Sequence, residues 1–287
     1  MFRLNEVILR ARSEKKAIGH FNISDLVALK AIVEVVRDTG YPVIIGVSEG
    51  ERDFVGVREV ALLIKRLREE ENLPIYLNAD HTYSLEKIKE VVASGFDSVI
   101  FDGAKLTIDE NINKTREVVD YVKRVAPDII VEAELGYIGS SSNLLDKLPE
   151  GAALDESSYT KAEDALRFVN ETGVQMFAPA FGNIHGMFSN AKNPQLSINR
   201  LKEIREKISI PLVLHGGSGI SDEDFKSAIK EGISIIHINT ELRVAWRKGL
   251  MEGLKNEKQV TPYKILIPAV NEVKIVVLNR LKLFNQI

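Results

Sequence analysis

Short apolar segments alternate with longer amphipathic segments along most of this chain. The short segments are rich in β-branched residues, and apolar runs of about four to eight residues are typical of strands buried in a parallel sheet. The longer segments repeat apolar residues at helical spacing. The pattern predicts strands at residues 17–22, 42–47, 75–79, 98–101, 129–133, 175–180, 211–214 and 234–238.

A helix is predicted after nearly every strand. The first runs from Ser24, which we expect to be its N-cap, to Thr39, and Gly40 ends it. Residues 136–159 have little periodicity, and connections of that length are usually functional or mobile. The other predicted helices cover residues 57–71, 84–94, 109–125, 160–172, 197–208, 221–231, 241–256 and 263–284.

Repeated strand–helix units most simply close into a (β/α)8 barrel, which often has about 250 residues. A doubly wound open sheet is the alternative for the same pattern. No linker divides the 287 residues. We therefore expect one barrel domain over residues 1–287, with a C-terminal helical extension at about 241–287.

The composition is that of an ordinary globular protein, with 45% hydrophobic and 28% charged residues. The net charge of −3 does not indicate a nucleic-acid-binding protein, although a local basic pocket for phosphate is compatible with it. Cysteine is absent, so a metal site must use His, Asp or Glu. No apolar run has the length of a membrane span, and residues 1–16 lack the apolar core of a signal peptide. We expect a cytoplasmic protein.

Polar residues stand at the carboxyl ends of nearly all predicted strands, where a barrel forms its active site. All five histidines lie at or just after such ends. A lone histidine is usually structural, but three imidazoles with an open position form a common catalytic zinc site. We identify His81, His185 and His215 as candidates for that site. The neighbours of His20 and His237 indicate packing or substrate contact instead.

Carboxylates accompany these histidines. Asp80 precedes His81 and is a candidate proton donor or acceptor; its alternative role is to cap the next helix. Glu132 and Glu134 are two residues apart, so both can face one side of a strand and orient zinc ligands or bind a second cation. No lysine ends a predicted strand in apolar surroundings, so the sequence does not indicate a Schiff base.

Two glycine-rich segments, GNIHG (182–186) and HGGSG (215–219), follow the sixth and seventh strands. Glycines let backbone amides approach a phosphate closely, and a following helix N-terminus attracts the anion. Tight turns alone would also explain the glycines. The position of HGGSG, after the seventh strand, is the usual place for phosphate in a barrel.

Taken in order, the motifs resemble those of class II fructose-bisphosphate and tagatose-bisphosphate aldolases, from about residue 17 to 243. The resemblance implies a zinc-dependent lyase for a ketose 1,6-bisphosphate, with fructose 1,6-bisphosphate as the first expectation. The products would be dihydroxyacetone phosphate and glyceraldehyde 3-phosphate. The motifs are HFNI (20–23), GVSEG (46–50), Asp80-His81, FDG (101–103), VEAELG (131–136), FAPAFGNIHG (177–186), PLVLHGGSG (211–219) and NTEL (239–242).

The resemblance also implies roles. It makes His81, His185 and His215 the catalytic zinc ligands, and Asp80 the group that exchanges a proton with the substrate hydroxyl. It implies a possible second cation at Asp102 and Glu134, a monovalent cation (Na⁺ or K⁺) beside the phosphate, and a homodimer or homotetramer. The residues that match substrate contacts are Asn22, Ser48, Gly186, Gly216, Gly217, Ser218, His237, Asn239 and Thr240.

Three segments depart from the family pattern. The loop YIGSSSNLLD (137–146) places Ser142 about where the family has a mobile catalytic glutamate. His237 replaces the Asn that usually begins the strand-eight motif, and residues 260–270 are only loosely similar. The metal and phosphate parts therefore match the family pattern, whereas the proton-transfer part and the part for the far end of the substrate depart from it.

The missing loop glutamate leaves the second base open. Glu132, Asp146 and Glu150 are the candidate substitutes. Two other functions are compatible with the altered loop: a lyase for another phosphorylated ketose such as tagatose 1,6-bisphosphate, and a phosphosugar-binding barrel that has lost efficient cleavage.

Overall fold

A computed structural model describes residues 2–139, 142–147, 155–190 and 193–286. Within these residues, eight parallel strands pair in chain order, and the last pairs with the first to close a barrel. The closed barrel excludes the open doubly wound sheet. The strands are β1 (Ile18–Asn22), β2 (Val43–Val47), β3 (Ile75–Thr82), β4 (Ser98–Phe101), β5 (Ile130–Leu135), β6 (Met176–Pro179), β7 (Leu212–Leu214) and β8 (Ile233–Ile238).

Helices surround this barrel and continue beyond its last strand. A separate pair of two-residue strands, Leu144–Leu145 and Met187–Phe188, lies outside the barrel. The helices of the described residues are α1 (Leu4–Ser13), α2 (Leu26–Thr39), α3 (Glu49–Val55), α4 (Val57–Glu71), α5 (Leu85–Ala93), α6 (Ile108–Val125), α7 (Ala162–Thr172), α8 (Ile198–Lys207), α9 (Asp222–Lys230), α10 (Thr240–Gly253) and α11 (Pro262–Phe284).

Helix α2 illustrates how local sequence sets an element's ends. The Asp25 side chain accepts hydrogen bonds from the backbone N–H groups of Val27 and Ala28, so Asp25 is the N-cap and the expectation of Ser24 is wrong. Gly40 ends the helix in the left-handed region at φ +69°, as predicted.

Helix α1 closes the amino-terminal end of the barrel and was not predicted. Its buried Leu4, Ile8 and Ala11 pack against interior residues near the beginnings of the strands. The Tyr76 hydroxyl donates to the carbonyl oxygen of Phe2 at 2.8 Å. Because this packing occludes one end of the barrel, the carboxyl ends of the strands are left to form a site.

The larger apolar core lies between the outer face of the barrel and the surrounding helices. Helices α10 and α11 form a closely packed hairpin, because a Cβ on Gly253 would lie 1.9 Å from the carbonyl oxygen of Ile265. This hairpin corresponds to the predicted C-terminal helices. Among the described residues, no helix combines the length and apolar character that crossing a membrane requires.

Candidate active site

A bulge at the end of β3 brings two neighbouring polar side chains to one cavity. Ala79 pairs with Val99 of β4 and Thr82 pairs with Phe101, so Asp80 and His81 both lie opposite a single residue. In a regular strand they would point to opposite faces. His81 has φ +38°, and a non-glycine residue in such a conformation typically costs about 1–3 kcal/mol.

The three predicted zinc ligands converge. The ring centroid of His81 lies 4.8 Å from that of His185 and 5.2 Å from that of His215. One ligand atom from each of these histidines and one from Glu134 all lie within 4.8 Å of one another. His185 Nε2, His215 Nδ1 and Glu134 Oε2 are buried and have no hydrogen-bond partner. Unpaired buried acceptors around one point fit a bound cation, which would satisfy them.

Two carboxylates fix the orientation of two of these rings. His81 Nδ1 lies 2.8 Å from Asp102 Oδ2, and His215 Nε2 lies 2.7 Å from Glu132 Oε1. Each carboxylate accepts the ring N–H, so the other ring nitrogen keeps its lone pair for a metal. Glu132 is only 1% exposed and lies beside His215, so it is placed to orient that ring.

Replacing Glu132 with Gln should therefore weaken zinc binding by about 10–100-fold, the usual effect of losing a carboxylate that orients a metal ligand. Zinc affinity can be measured by competition with a chelating dye. Glu156→Gln is a suitable control, because Glu156 is an exposed glutamate. Unchanged zinc affinity in Glu132→Gln would contradict this role.

The charges of the metal-free cluster are strongly coupled. Burial lowers the pKa of His185 to about 3, and the neighbouring His81 and His215 contribute. Burial also opposes a charge on His81, but Asp80 and Asp102 outweigh it and raise the His81 pKa to about 9. At neutral pH, His81 therefore holds a proton that a metal must displace, so metal binding is linked to proton release.

Asp80 is a buried carboxylate at the cavity. Its Oδ2 accepts a hydrogen bond from Asn22 Nδ2 at 2.8 Å, and its Oδ1 lies 3.5 Å from His237 Nδ1. Burial would raise the Asp80 pKa, but the charges of His81 and His237 and a hydrogen bond from His237 hold it well below its ordinary value. Asp80 is therefore ionised at neutral pH and can accept a proton.

The alternative expectation that Asp80 caps the next helix does not hold. Ser84 is the N-cap of α5, and its Oγ accepts a hydrogen bond from the backbone N–H of Lys87. The Asp80 side chain instead points into the barrel mouth.

The nine predicted substrate contacts all line one of two adjacent cavities. The outer cavity contains Ser48, Asp102, Tyr83 and Arg243, among others. Asp80, His81, Ser142, His185 and Asn239 line both. The predicted contacts in the inner cavity are Asn22, Gly186, Gly216, Gly217, Ser218, His237, Asn239 and Thr240.

Glycines are sterically required where the two predicted phosphate loops meet. Gly216 has φ +63°, and a Cβ there would lie 2.2 Å from the carbonyl oxygen of Ile184. The Ser218 Oγ accepts hydrogen bonds from the backbone N–H groups of Asn239 and Glu241 at 3.3 and 3.2 Å. The loops therefore pack against the N-terminus of α10, a favourable position for an anion.

His20 and His237 form a stacked pair behind His215. Their ring centroids are 3.5 Å apart with an interplanar angle of 4°, and the His237 ring lies 4.1 Å from that of His215. Gly46 makes room for this pair, because a Cβ there would lie 2.0 Å from His20 Cε1. One ligand atom from each of His20, Asp80 and His237 lies within 4.8 Å of the others, but two parallel rings 3.5 Å apart direct their in-plane lone pairs side by side rather than toward one point. The pair therefore packs behind the metal cluster, and His237 also faces the cavity.

Arg243 is a site residue that the sequence analysis missed. Its Nη2 donates to Glu51 Oε1 at 2.9 Å, and its Nη1 donates to the carbonyl oxygen of Ser142 at 3.0 Å. The side chain is 43% exposed at the outer cavity, so it can meet an anionic group there. It directly follows the motif NTEL (239–242), and its place on the first turn of α10 was the available signal.

The candidates for a second base lie in different places. Glu132 is hydrogen-bonded to His215, and Asp146 is exposed and lines neither cavity. Glu150 lies outside the described residues. Ser142, which stands in place of the expected glutamate, lines both cavities.

Comparisons with known proteins agree with this arrangement. The family model described as fructose-bisphosphate aldolase class-II matches residues 2–287. The fructose-bisphosphate aldolase of Geobacillus stearothermophilus is 35% identical, covering 98% of this chain and 96% of that protein. That of Staphylococcus aureus strain Mu50 is 33% identical with the same coverage. The crystal structure of the YdjI aldolase from Escherichia coli K12 superposes with a TM-score of 0.82 at 30% identity, covering 98% and 96% of the two chains.

A closed (β/α)8 barrel whose mouth holds a histidine and glutamate cluster that could bind a metal ion agrees with a class II aldolase. The chain belongs to the class II fructose-bisphosphate aldolase family, and it is an aldehyde-lyase. The resemblance inferred from the motifs is confirmed.

Proposed function

We propose that this protein cleaves and forms fructose 1,6-bisphosphate, with dihydroxyacetone phosphate and glyceraldehyde 3-phosphate as the three-carbon partners. The observation that carries the proposal is the convergence of ligand atoms of His81, His185 and His215 within 4.8 Å of one another, beside the ionised Asp80. The names of the two bacterial relatives support the choice of substrate.

Zinc is the metal that the donor set suits best, because His81, His185 and His215 would leave one coordination position open for substrate. When bound there, zinc would act as a Lewis acid toward the ketose carbonyl. Asp102 and Glu132 keep His81 and His215 in the tautomers that a metal needs.

Asp80 is the proposed proton acceptor for the C4 hydroxyl in the cleavage direction. Its Oδ2 is held by Asn22, whereas its Oδ1 has only the longer 3.5 Å contact with His237 Nδ1, and the side chain lines both cavities. Asn22 also donates to Glu51 at 2.9 Å, so the amide that holds Asp80 is itself fixed.

The remaining cavity residues would bind the two phosphates. Gly186, Gly216, Gly217 and Ser218, with the Asn239–Thr240 start of α10, form the proposed cradle for the phosphate of the three-carbon ketone. Arg243 would face the far phosphate from the outer cavity. Ser48 and His237 complete the proposed substrate contacts.

Further ions are part of the proposal. A second cation would bind between Asp102 and Glu134, because both carboxylates line one further cavity, and a cation there would offset the effect of burial and of the Asp102 charge, which raise the Glu134 pKa. A monovalent cation, Na⁺ or K⁺, would accompany the phosphate. We also propose that the chain is one domain, acts as a homo-oligomer and works in the cytoplasm.

Two other functions are compatible with Ser142 in place of the family's loop glutamate, and both can be tested. A serine hydroxyl cannot replace a carboxylate as general base at neutral pH. A barrel that binds phosphosugars without cleaving them could therefore have the same loop. A lyase for tagatose 1,6-bisphosphate or another phosphorylated ketose would share the metal and phosphate parts.

Hydrogen exchange separates catalysis from binding. We expect the zinc-loaded protein to exchange a C3 proton of dihydroxyacetone phosphate with deuterated water, observed by NMR. Asp146→Asn and Glu150→Gln, with Glu132→Gln, test the substitute base. Each variant is compared at saturating zinc, where the base variant should lose exchange although it is fully loaded with zinc. If all three exchange at the wild-type rate, the base lies elsewhere, and a wild-type protein that binds the ketone without exchange is a binding protein.

A further inference from the structure

Arg52 is a buried arginine that the proposed reaction does not use directly. It lies in α3, and only 2% of its surface is exposed. Its hydrogen bonds in the described part of the chain go to uncharged acceptors, two backbone carbonyls and a hydroxyl, and the carboxylates of Asp80 and Glu49 act on it only through their charge. Burying a guanidinium without a carboxylate in direct contact costs free energy, so the buried position of Arg52 needs an explanation.

The contacts of Arg52 surround the β3 bulge. One guanidinium nitrogen donates to the carbonyl oxygens of Val47 and Asp80, the latter at 3.0 Å. A second guanidinium nitrogen, Nη2, donates to Thr82 Oγ1 at 3.0 Å. Asp80 and Thr82 are the neighbours of His81 on either side, and Val47 ends the adjacent strand β2. The Arg52 side chain therefore links both sides of the bulge to β2 through hydrogen bonds.

A bulge needs such a tie for two reasons. It interrupts the ladder of hydrogen bonds between strands, so a buried carbonyl there needs another donor. In addition, His81 is held at φ +38°, a conformation that persists only when its surroundings fix it. The planar guanidinium has five N–H donors in a fixed fork, whereas a lysine ammonium is a point charge that cannot set the same geometry.

The position of Arg52 is itself well determined. Ser48 and Glu51 form a capping box at the start of α3, and the Arg52 backbone N–H donates to the carbonyl oxygen of Ser48 at 2.8 Å. Glu51 accepts a hydrogen bond from Asn22, which also holds the Asp80 carboxylate. Consecutive residues of α3 thus support Asp80. Glu51 fixes Asn22, which holds the Asp80 carboxylate, and the Arg52 guanidinium donates to the Asp80 backbone carbonyl.

We infer that Arg52 is a positioning residue that holds the β3 bulge and thereby directs Asp80 and His81 into the cavity. The inference rests on the proposed function only for the roles given to Asp80 and His81. The bulge and its contacts are independent of the substrate.

The test compares Arg52→Met with Arg68→Met. Arg68 also donates to a backbone carbonyl of β3, that of Ile75 at 2.9 Å, but at the opposite end of the strand and paired with Asp97. Each variant removes an arginine side chain that donates hydrogen bonds to β3, so both should lose thermal stability. At a temperature where both are folded by circular dichroism, only Arg52→Met should lose about 10–100-fold in zinc affinity and in kcat at saturating zinc. Arg52→Lys should recover part of both losses.

Crystal structures of the wild type and Arg52→Met provide a readout that does not depend on activity. We expect Asp80 and His81 to shift by about 1 Å, a displacement large enough to impair catalysis. If Arg52→Met keeps the bulge, the zinc affinity and the kcat of Arg68→Met, the inference is wrong. If Arg52→Met does not fold, Thr82→Val takes its place; it removes one acceptor of Arg52, and wild-type zinc affinity and kcat there would equally overturn the inference.

The proposed function and the positioning role of Arg52 are contradicted by different results. A wild-type protein that binds zinc but cleaves no ketose bisphosphate would overturn the proposed function. The zinc affinity and the crystal structures would then still decide the role of Arg52.

Discussion

Replacing Asp80 with Ala should lower kcat for cleavage by about 10²–10⁴-fold, the range for a positioned acid–base group. The reason is that Asp80 is a buried, ionised carboxylate at the cavity that can accept the substrate proton. Zinc content and binding of the three-carbon phosphate should stay close to wild type, because neither depends on the carboxylate accepting a proton. Steady-state kinetics, metal analysis and a ligand titration measure the three quantities.

Asp120→Ala is the matched control for this prediction, because Asp120 is an exposed aspartate on α6 that lines neither cavity. An Asp80→Ala protein with nearly wild-type kcat would remove Asp80 from the reaction. A protein that also loses its zinc would indicate that Asp80 acts on the metal cluster and would leave the proton acceptor unassigned.

Replacing His185 with Ala should remove zinc and cleavage activity together. Three protein ligands are the usual number for a catalytic zinc site, and loss of one severely weakens it. The same result is expected for His81→Ala and His215→Ala. Metal content after gel filtration and residual activity at equal protein concentration measure the effect.

His20→Ala is the control for the histidine variants. His20 stacks on His237 but contributes no atom to the cluster of His81, His185, His215 and Glu134. It should lose packing and some stability while it keeps its zinc. A His185→Ala protein that still carries one zinc per chain would exclude His185 from the ligands.

Strand positions could be predicted closely because the interior of a barrel leaves a strong signal. The continuous apolar runs gave β4 at its observed bounds, and α4 is likewise found over residues 57–71. Helix α3 was not predicted for a physical reason. It has only seven residues and begins inside GVSEG (46–50), whose glycine and polar residues resemble the end of a strand.

The candidate ligands could be predicted because histidines at strand ends must converge once the barrel closes. The partners of those ligands could not. Glu132 and Glu134 share a strand face, and only distances assign Glu132 to His215 Nε2 while Glu134 joins the metal cluster. The bulge in β3 was also beyond reach, because the predicted strand stopped at residue 79 and the register with β4 changes just after it.

The most direct measurement is a coupled assay of fructose 1,6-bisphosphate and tagatose 1,6-bisphosphate cleavage by the protein, before and after treatment with a chelator. The account predicts cleavage of fructose 1,6-bisphosphate to dihydroxyacetone phosphate, complete loss of activity when the metal is removed, and recovery when zinc is added back. Full activity in the metal-free protein, or a zinc-loaded protein that cleaves neither ketose, would contradict it.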